Sequence, residues 1–240
     1  MENKFSKEII VLPGNTDAQA KLSIGDTFAL FQDLAAEHAE RMGLGVTYMN
    51  NRKCFWITVK TRIHFFRRPF LNEVVTGSTW PLAPEKLRIV RNYSLVKGEE
   101  VLAYGKTDWG IMDMTTGKLT TSDGLYPEDF TPYPESVLTE QFERIDEDFS
   151  DCAVIGQHKV CSVDIDLGGH MNNVSYVRAL LSMFSSKELR EMNIQDMEVY
   201  FRRSCYEGET LTFKMREKED HKEIAALKED GTAALLVKMQ

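Results

Sequence analysis

Between positions 164 and 184 the chain reads Asp-Ile-Asp-Leu-Gly-Gly-His-Met-Asn-Asn-Val-Ser-Tyr-Val-Arg-Ala-Leu-Leu-Ser-Met-Phe. Its first ten positions hold two carboxylates, two glycines, one histidine and two carboxamides. A carboxylate can attack a carbonyl carbon or take a proton from water, and a nearby imidazole can orient it or pass a proton on. The apolar residues that follow, Val174, Val177, Leu181 and Phe184, recur at steps of three and four, the stripe of a helix on a packed surface. The polar cluster is therefore expected at a helix N-terminus, where unpaired N–H groups and the positive end of the helix dipole favour negative charge. Asp166 and His170 would flank an oxyanion site built from N–H groups near Gly168, Gly169 and Met171, with Asn172 and Asn173 hydrogen-bonding the helix start and Tyr176 packed beside it.

The elements that must hold this stretch follow from the rest of the chain. Residues 5–12 read as a strand, broken at Pro13-Gly14-Asn15. Ser23 is placed to cap a helix through about Met42, carried by Phe28, Phe31, Leu34, Ala35 and His38 and stopped by Gly43 and Gly45. Residues 54–66, 73–80, 88–96 and 101–114 are strand-like, with turns at 97–100 and 115–118. Pro127, Pro132 and Pro134 then precede an acidic run, read as a linker. A strand from Ala153, the polar motif with its helix to about Ser185, and strands at 194–201, 210–217, 223–228 and 233–239 complete the chain. Strand, helix, several strands thus occurs twice, an α+β duplication with units at 1–135 and 153–240 and a linker at 136–152. The residues before the first helix, 18–25, carry no Asp-x-Asp and no Gly-His, so one chemical site per chain is expected, in the second unit.

Composition narrows the classes. The chain has 240 residues, 42% hydrophobic and 28% charged, as in a globular protein with a substantial core. No run of about 18 apolar residues is present, so no membrane span is expected, and the first residues have neither the basic nor the apolar region of a secretory signal. A net charge of −8 argues against nucleic acid as a partner. Cys54, Cys152, Cys161 and Cys205 are widely spaced, which argues against a metal site and fits free thiols in a cytoplasmic protein. Cys205 reads either as a thiolate acting beside His170 or as an inert buried thiol.

The pattern D-x-D-x-x-G-H-x-N-N-x-x-Y, here Asp164, Asp166, Gly169, His170, Asn172, Asn173 and Tyr176, resembles the active-site stretch of hotdog-fold thioesterases. Together with Phe201-Arg202-Arg203-Ser204-Cys205 and a chain about twice one hotdog unit, the whole is similar to the acyl-acyl carrier protein (acyl-ACP) thioesterases of bacteria and plant plastids. The resemblance implies two tandem hotdog units, each a long helix wrapped by an antiparallel sheet. It implies hydrolysis of fatty acyl-ACP to free fatty acid, without cofactor or metal. Asp166 would be nucleophile or general base, with His170 and Cys205 completing the catalytic set. Gly168 stands where that family has Asn, and Ser204 where it has Glu, so the family's full network does not carry over.

The same resemblance makes the acidic carrier protein the expected partner. Arg67, Arg68, Arg88, Arg91, Arg202 and Arg203 would dock it, and Phe28, Phe31, Trp56 and Trp109 are candidates for lining an acyl-chain tunnel. Two other readings use the same residues: an acyl-CoA thioesterase, or an acyl-thioester binder that has lost hydrolysis. A monomer and a homodimer both fit a duplicated unit of this kind.

Overall fold

The computed structural model describes residues 3–240. The chain divides into two compact units, one holding the N-terminal segment up to Ser23 with residues 29–140, the other residues 24–28 with 141–240. The division falls near residue 140, inside the segment expected as a linker.

The first unit follows the expected order: β1 (Phe5–Ile10), α1 (Ile24–Arg41), β2 (Cys54–Phe65), β3 (Val74–Pro81), β4 (Ile89–Lys97) and β5 (Glu100–Asp113). It adds a six-residue helix, α2 (Val46–Asn51), and a two-residue strand, β6 (Leu119–Thr120). Its antiparallel sheet runs β1-β3-β4-β5-β2, with β6 beside β5. From residue 29 on, helix α1 buries Phe31, Leu34, Ala35 and His38, and two glycines in the strands let it lie close. A Cβ on Gly105 would meet the Phe31 ring at 2.4 Å, and one on Gly77 would meet Leu34 Cδ1 at 3.0 Å. Phe31 in turn stacks on Tyr93 at 4.7 Å between centroids. Where α1 ends, Gly43 takes φ +71, the left-handed conformation that costs glycine least.

Alternation along β4 sends Ile89, Arg91, Tyr93 and Leu95 to one buried face. Arg91 is thus a buried cation, its Nη1 3.0 Å from His38 Nδ1 and 3.3 Å from Thr79 Oγ1. A guanidinium only donates, so His38 Nδ1 is the acceptor and its ring is held as the Nε2–H tautomer. Burial pushes the Arg91 pKa down. Trp56 meets Trp109 edge-on at 6.4 Å, and both pack against a core of Met42, Leu44, Met49, Ile89, Ile111 and Leu125.

The expected linker has neither helix nor strand, yet it is packed rather than loose. In the first unit the Trp80 indole N–H donates to the Glu135 carbonyl at 2.7 Å, and Lys106 donates to the Glu140 carbonyl at 2.5 Å. In the second, Ile145 and Phe149 join Tyr200, Ala225, Ala233 and Leu236 in one buried cluster.

The second unit has β7 (Ala153–Lys159), α3 (Asn173–Leu181), α4 (Ser186–Met192), β8 (Asp196–Phe201), β9 (Thr210–Glu217), β10 (Lys222–Leu227) and β11 (Ala233–Met239). Its sheet runs β8-β11-β10-β9-β7, all antiparallel, with β7 at the edge. The motif helix is shorter than its apolar stripe suggested, because Ser185 starts a separate helix: its hydroxyl accepts the Glu188 N–H while the Glu188 carboxylate accepts the Ser185 N–H. No helix among the described residues is long and apolar enough to cross a membrane.

Arg67 anchors a surface network in the first unit, donating to Glu73 at 2.7 Å and to Glu100 at 2.6 Å, while Lys97 reaches Glu73 at 2.6 Å. Arg67 is the main reason the Glu73 carboxyl is pulled down to about 2. A carboxyl lowered on folding adds stability that is complete above its unfolded pKa of about 4.3 and is lost as pH falls through the folded value. Thermal unfolding followed against pH should therefore show a shallower loss of Tm in Glu73→Gln than in the wild type below about pH 4.3.

Candidate active site

The motif is a closed loop hung between β7 and α3. A 3₁₀ turn (Ser162–Asp164) leads in, and Asn172 caps α3 by accepting the Val174 N–H on its side-chain oxygen. Ile165 bridges Met171 in antiparallel fashion, the Asp166 N–H donates to the His170 carbonyl at 3.0 Å, and the Asn172 N–H donates to the Asp164 carbonyl at 2.8 Å. Gly169, at φ +74, makes the return possible, and its N–H donates to the Asp166 carbonyl at 3.0 Å.

Asp166 and His170 face each other across the loop. Asp166 Oδ1 accepts the Gly168 N–H at 2.8 Å and lies 3.7 Å from His170 Nδ1, beyond hydrogen-bond reach but close enough for mutual orientation. Both side chains are partly open, at 29% and 31% exposure, so water or a substrate can reach them. Among the described residues nothing donates to the second oxygen of Asp166. Gly168 matters by what it lacks: a Cβ there would sit 2.8 Å from His170 Nε2 and 3.1 Å from Asp166 Oδ1. Imidazole and carboxylate therefore leave no room for a side chain at position 168 without moving.

The expected oxyanion donors need correction. The N–H groups of Gly168, Gly169, Met171 and Asn172 are all spent on protein acceptors, namely Asp166 Oδ1 and the carbonyls of Asp166, Cys205 and Asp164. Among the described residues, the N–H groups of Leu167, His170, Asn173 and Ser175 have no protein acceptor, and of these His170 and Asn173 stand next to the Asp166 loop closure and the start of α3.

The segment 201–205 meets the loop through its backbone. Met171 donates to the Cys205 carbonyl at 2.8 Å, and the Tyr176 hydroxyl donates to the Arg203 carbonyl at 3.2 Å. The Cys205 side chain is 0% exposed, and burial pushes its thiol pKa up, so the structure withholds the thiolate a nucleophile would need. Burial likewise raises the Tyr176 phenol. Ser204 is exposed and meets Lys228 only through its carbonyl, at 3.1 Å, so its side chain replaces nothing that a Glu would do there.

Asp164, matched in the motif but given no role from sequence, is a hydrogen-bond hub. Its Oδ2 receives His158 Nε2 at 2.8 Å, the Cys161 N–H at 3.0 Å and the Cys161 thiol at 3.3 Å. Burial works to raise its pKa, but these donors, the Cys161 N–H foremost, hold the carboxyl below its ordinary value. The carboxylate in turn pushes the Cys161 thiol up. His158 was missed entirely: it lies on β7, outside the motif, with no spacing that ties it to the loop. Among the described residues no three His, Cys, Asp or Glu side chains are grouped to hold a metal ion.

The arginines expected to dock a partner are mostly committed elsewhere. Arg91 is buried against His38, which removes it from any docking surface. Arg67 is tied to Glu73 and Glu100, Arg68 to Asp17 and the Leu22 carbonyl, Arg88 to Asp108 at 3.0 Å, and Arg202 to Glu147. Arg203 is exposed, and its guanidinium is close enough to Asp230 to help lower that carboxyl's pKa.

Comparison with known proteins places this geometry. The family model "Acyl-ACP thioesterase N-terminal domain" matches residues 2–123, and "Acyl-ACP thioesterase C-terminal domain" matches residues 150–234. The chain is 25% identical over 225 residues to oleoyl-acyl carrier protein thioesterase 1 of Arabidopsis thaliana, a chloroplastic protein; the match covers 85% of this chain and 62% of that one. It therefore spans less than two thirds of that relative. Among solved structures it is similar to an acyl-ACP thioesterase from Bacteroides thetaiotaomicron, with TM-score 0.82 and 19% identity over 99% of this chain and 97% of that one. It is also similar to the 12:0-ACP thioesterase of Umbellularia californica, with TM-score 0.77 and 15% identity over 100% of this chain and 97% of that one. The fold is accordingly two tandem hotdog units, and with both domain models matched in order the chain belongs to the acyl-ACP thioesterase family.

Proposed function

We propose that this chain hydrolyses fatty acyl-ACP, releasing a free fatty acid and the carrier's thiol, with Asp166 as the reacting carboxylate. The observation that carries the reading is the state of that carboxylate: one oxygen is fixed by the Gly168 N–H at 2.8 Å, while the other is unclaimed among the described residues, beside His170 and before α3. A fixed, half-free carboxylate suits either attack on the thioester carbonyl or removal of a proton from the attacking water. The oxygen of the tetrahedral intermediate would take its donors from the His170 and Asn173 N–H groups. Collapse of that intermediate breaks the C–S bond, and the thiolate, a good leaving group, collects a proton from His170 or solvent; where water is the attacking group the free acid forms directly, and where Asp166 attacks, water must then hydrolyse the acyl–Asp166 anhydride. Cys54, Cys152, Cys161 and Cys205 are all free thiols, which supports a reducing, cytoplasmic setting.

A second reading keeps the chemistry and changes the carrier. Because Arg67, Arg68, Arg88 and Arg202 are neutralised by carboxylates and Arg91 is buried, the cationic surface expected for an acidic carrier protein is thin. That weakens the case for a carrier-protein surface and leaves acyl-CoA, whose phosphates would need cations of their own, as the alternative substrate at the same site.

Single-turnover hydrolysis of matched palmitoyl-ACP and palmitoyl-CoA separates these. Release from the carrier-protein substrate that falls by about 10³-fold in Asp166→Asn is the expected result. Faster release from CoA transfers the assignment to the second reading, and tight binding without release by the wild type leaves a non-hydrolysing binder. Cys205→Ala should keep turnover within about threefold, while losing about 1–2 kcal/mol of stability in denaturant melts, because the thiol fills space rather than reacts. Gly168→Ala should lower kcat by about tenfold or more, since the new methyl must displace His170 or Asp166 at a packing cost of about 1–3 kcal/mol.

A further inference from the structure

The loop that carries Asp166 is pinned at its base by one residue, and that residue is itself held from outside the loop. Asp164 is buried, with its carboxylate and its carbonyl doing separate jobs. The carbonyl accepts the Asn172 N–H at 2.8 Å, closing the loop onto the residue that caps α3. The carboxylate gathers the entry side: the Cys161 N–H at 3.0 Å, the Cys161 thiol at 3.3 Å and His158 Nε2 at 2.8 Å. Asp166 follows two residues later, so the backbone rotation at Asp164 sets the direction from which its carboxylate meets a substrate.

His158 is the part of this arrangement that the turn itself does not require. The Cys161 N–H alone would complete the 3₁₀ turn, as capping residues ordinarily do. His158 comes instead from β7, where it sits opposite Leu211 of β9. Its bond to Asp164 therefore references the loop to the sheet, not only to its own turn. A carboxylate only accepts, so His158 Nε2 carries the proton, and the contact is a charge-assisted one.

The geometry points to His158 and Asp164 as positioning residues for the hydrolysis, a pair that holds the Asp166 loop in register with the sheet without touching the substrate. This rests on the Asp166 reading above. A displacement of about 1 Å at reacting groups can cost about 10²-fold in rate. Loss of the pair should therefore appear in turnover before it appears in binding or folding.

The test compares His158→Leu with His158→Gln in the full chain, following kcat and KM on palmitoyl-ACP together with Tm. The Gln amide nitrogen can stand where imidazole Nε2 stood and donate to Asp164; Leu cannot. His158→Leu is expected to lose about tenfold to 10²-fold in kcat with KM within about twofold, and His158→Gln to recover kcat to within about threefold of wild type. Wild-type kcat in His158→Leu overturns the proposal, and so does a loss shared equally by both variants and matched by their loss of Tm. Should His158→Leu not fold, Asp164→Ala carries the test: it removes the oxygen on which all three donors converge, and an unchanged kcat there also overturns the pair. Asp166→Asn in the same series separates the two levels. Turnover surviving in Asp166→Asn sinks the carboxylate reading, whereas an inert His158 beside a dead Asp166→Asn sinks only the positioning pair.

Discussion

One backbone hydrogen bond, from the Met171 N–H to the Cys205 carbonyl, ties the site to its unit. Both residues are buried, so neither group could turn to water instead, and breaking the bond would strand two polar groups in the interior. Through it the end of the polar loop and the 201–205 segment, far apart in sequence, become one wall. Tyr176, one turn into α3, repeats the connection by donating to the Arg203 carbonyl. The segment thus meets the site through carbonyls and through two side chains: the Phe201 ring lies edge-on to Tyr176 at 6.1 Å between centroids, and the buried Cys205 thiol interacts with the Tyr176 hydroxyl. Ser204 is exposed.

Positions 168 and 204 accordingly contribute to this wall through backbone groups. With glycine at 168, its N–H can approach Asp166 and the imidazole of His170 can settle beside it. At 204 the backbone continues unchanged, and the Lys228 ammonium sits on its carbonyl. The remaining charge balance nearby is local: Lys228 is paired with Glu209 at 3.0 Å, and the Glu209 carboxylate also accepts the Tyr206 N–H at 2.8 Å.

Much of the fold was legible because period decides it. Strands β2 to β5 and β8 to β11 alternate or run apolar, and α1 keeps its stripe for eighteen residues. Helix α2 was not legible, since six residues are too few for a period to declare itself. Helix α4 is legible: Ser185-Ser186-Lys187-Glu188 is a capping box, although the apolar stripe that begins α3 extends to Phe184, directly before it. In the site, residue types marked the loop, but which N–H groups remain for a ligand depends on backbone turns at residues such as Gly169 that no spacing encodes. Arg91 could have been excluded as a surface cation, because it alternates with Ile89, Tyr93 and Leu95 on the face that meets α1. The pairing of Arg67 with Glu73 and Glu100 could not, since it depends on how strands register.

The place of β7 in its sheet gives the site a stability of its own. β7 pairs with β9 alone, and its register slips between Val154 and Gly156, so few hydrogen bonds hold it compared with β10 or β11. The polar loop hangs from this strand and takes one of its anchors, His158, from it. Edge strands open at lower free energy than the sheet interior. The polar loop is therefore hung from the strand of this sheet that is most open to fraying, so its geometry is held less firmly than that of the strands inside the sheet.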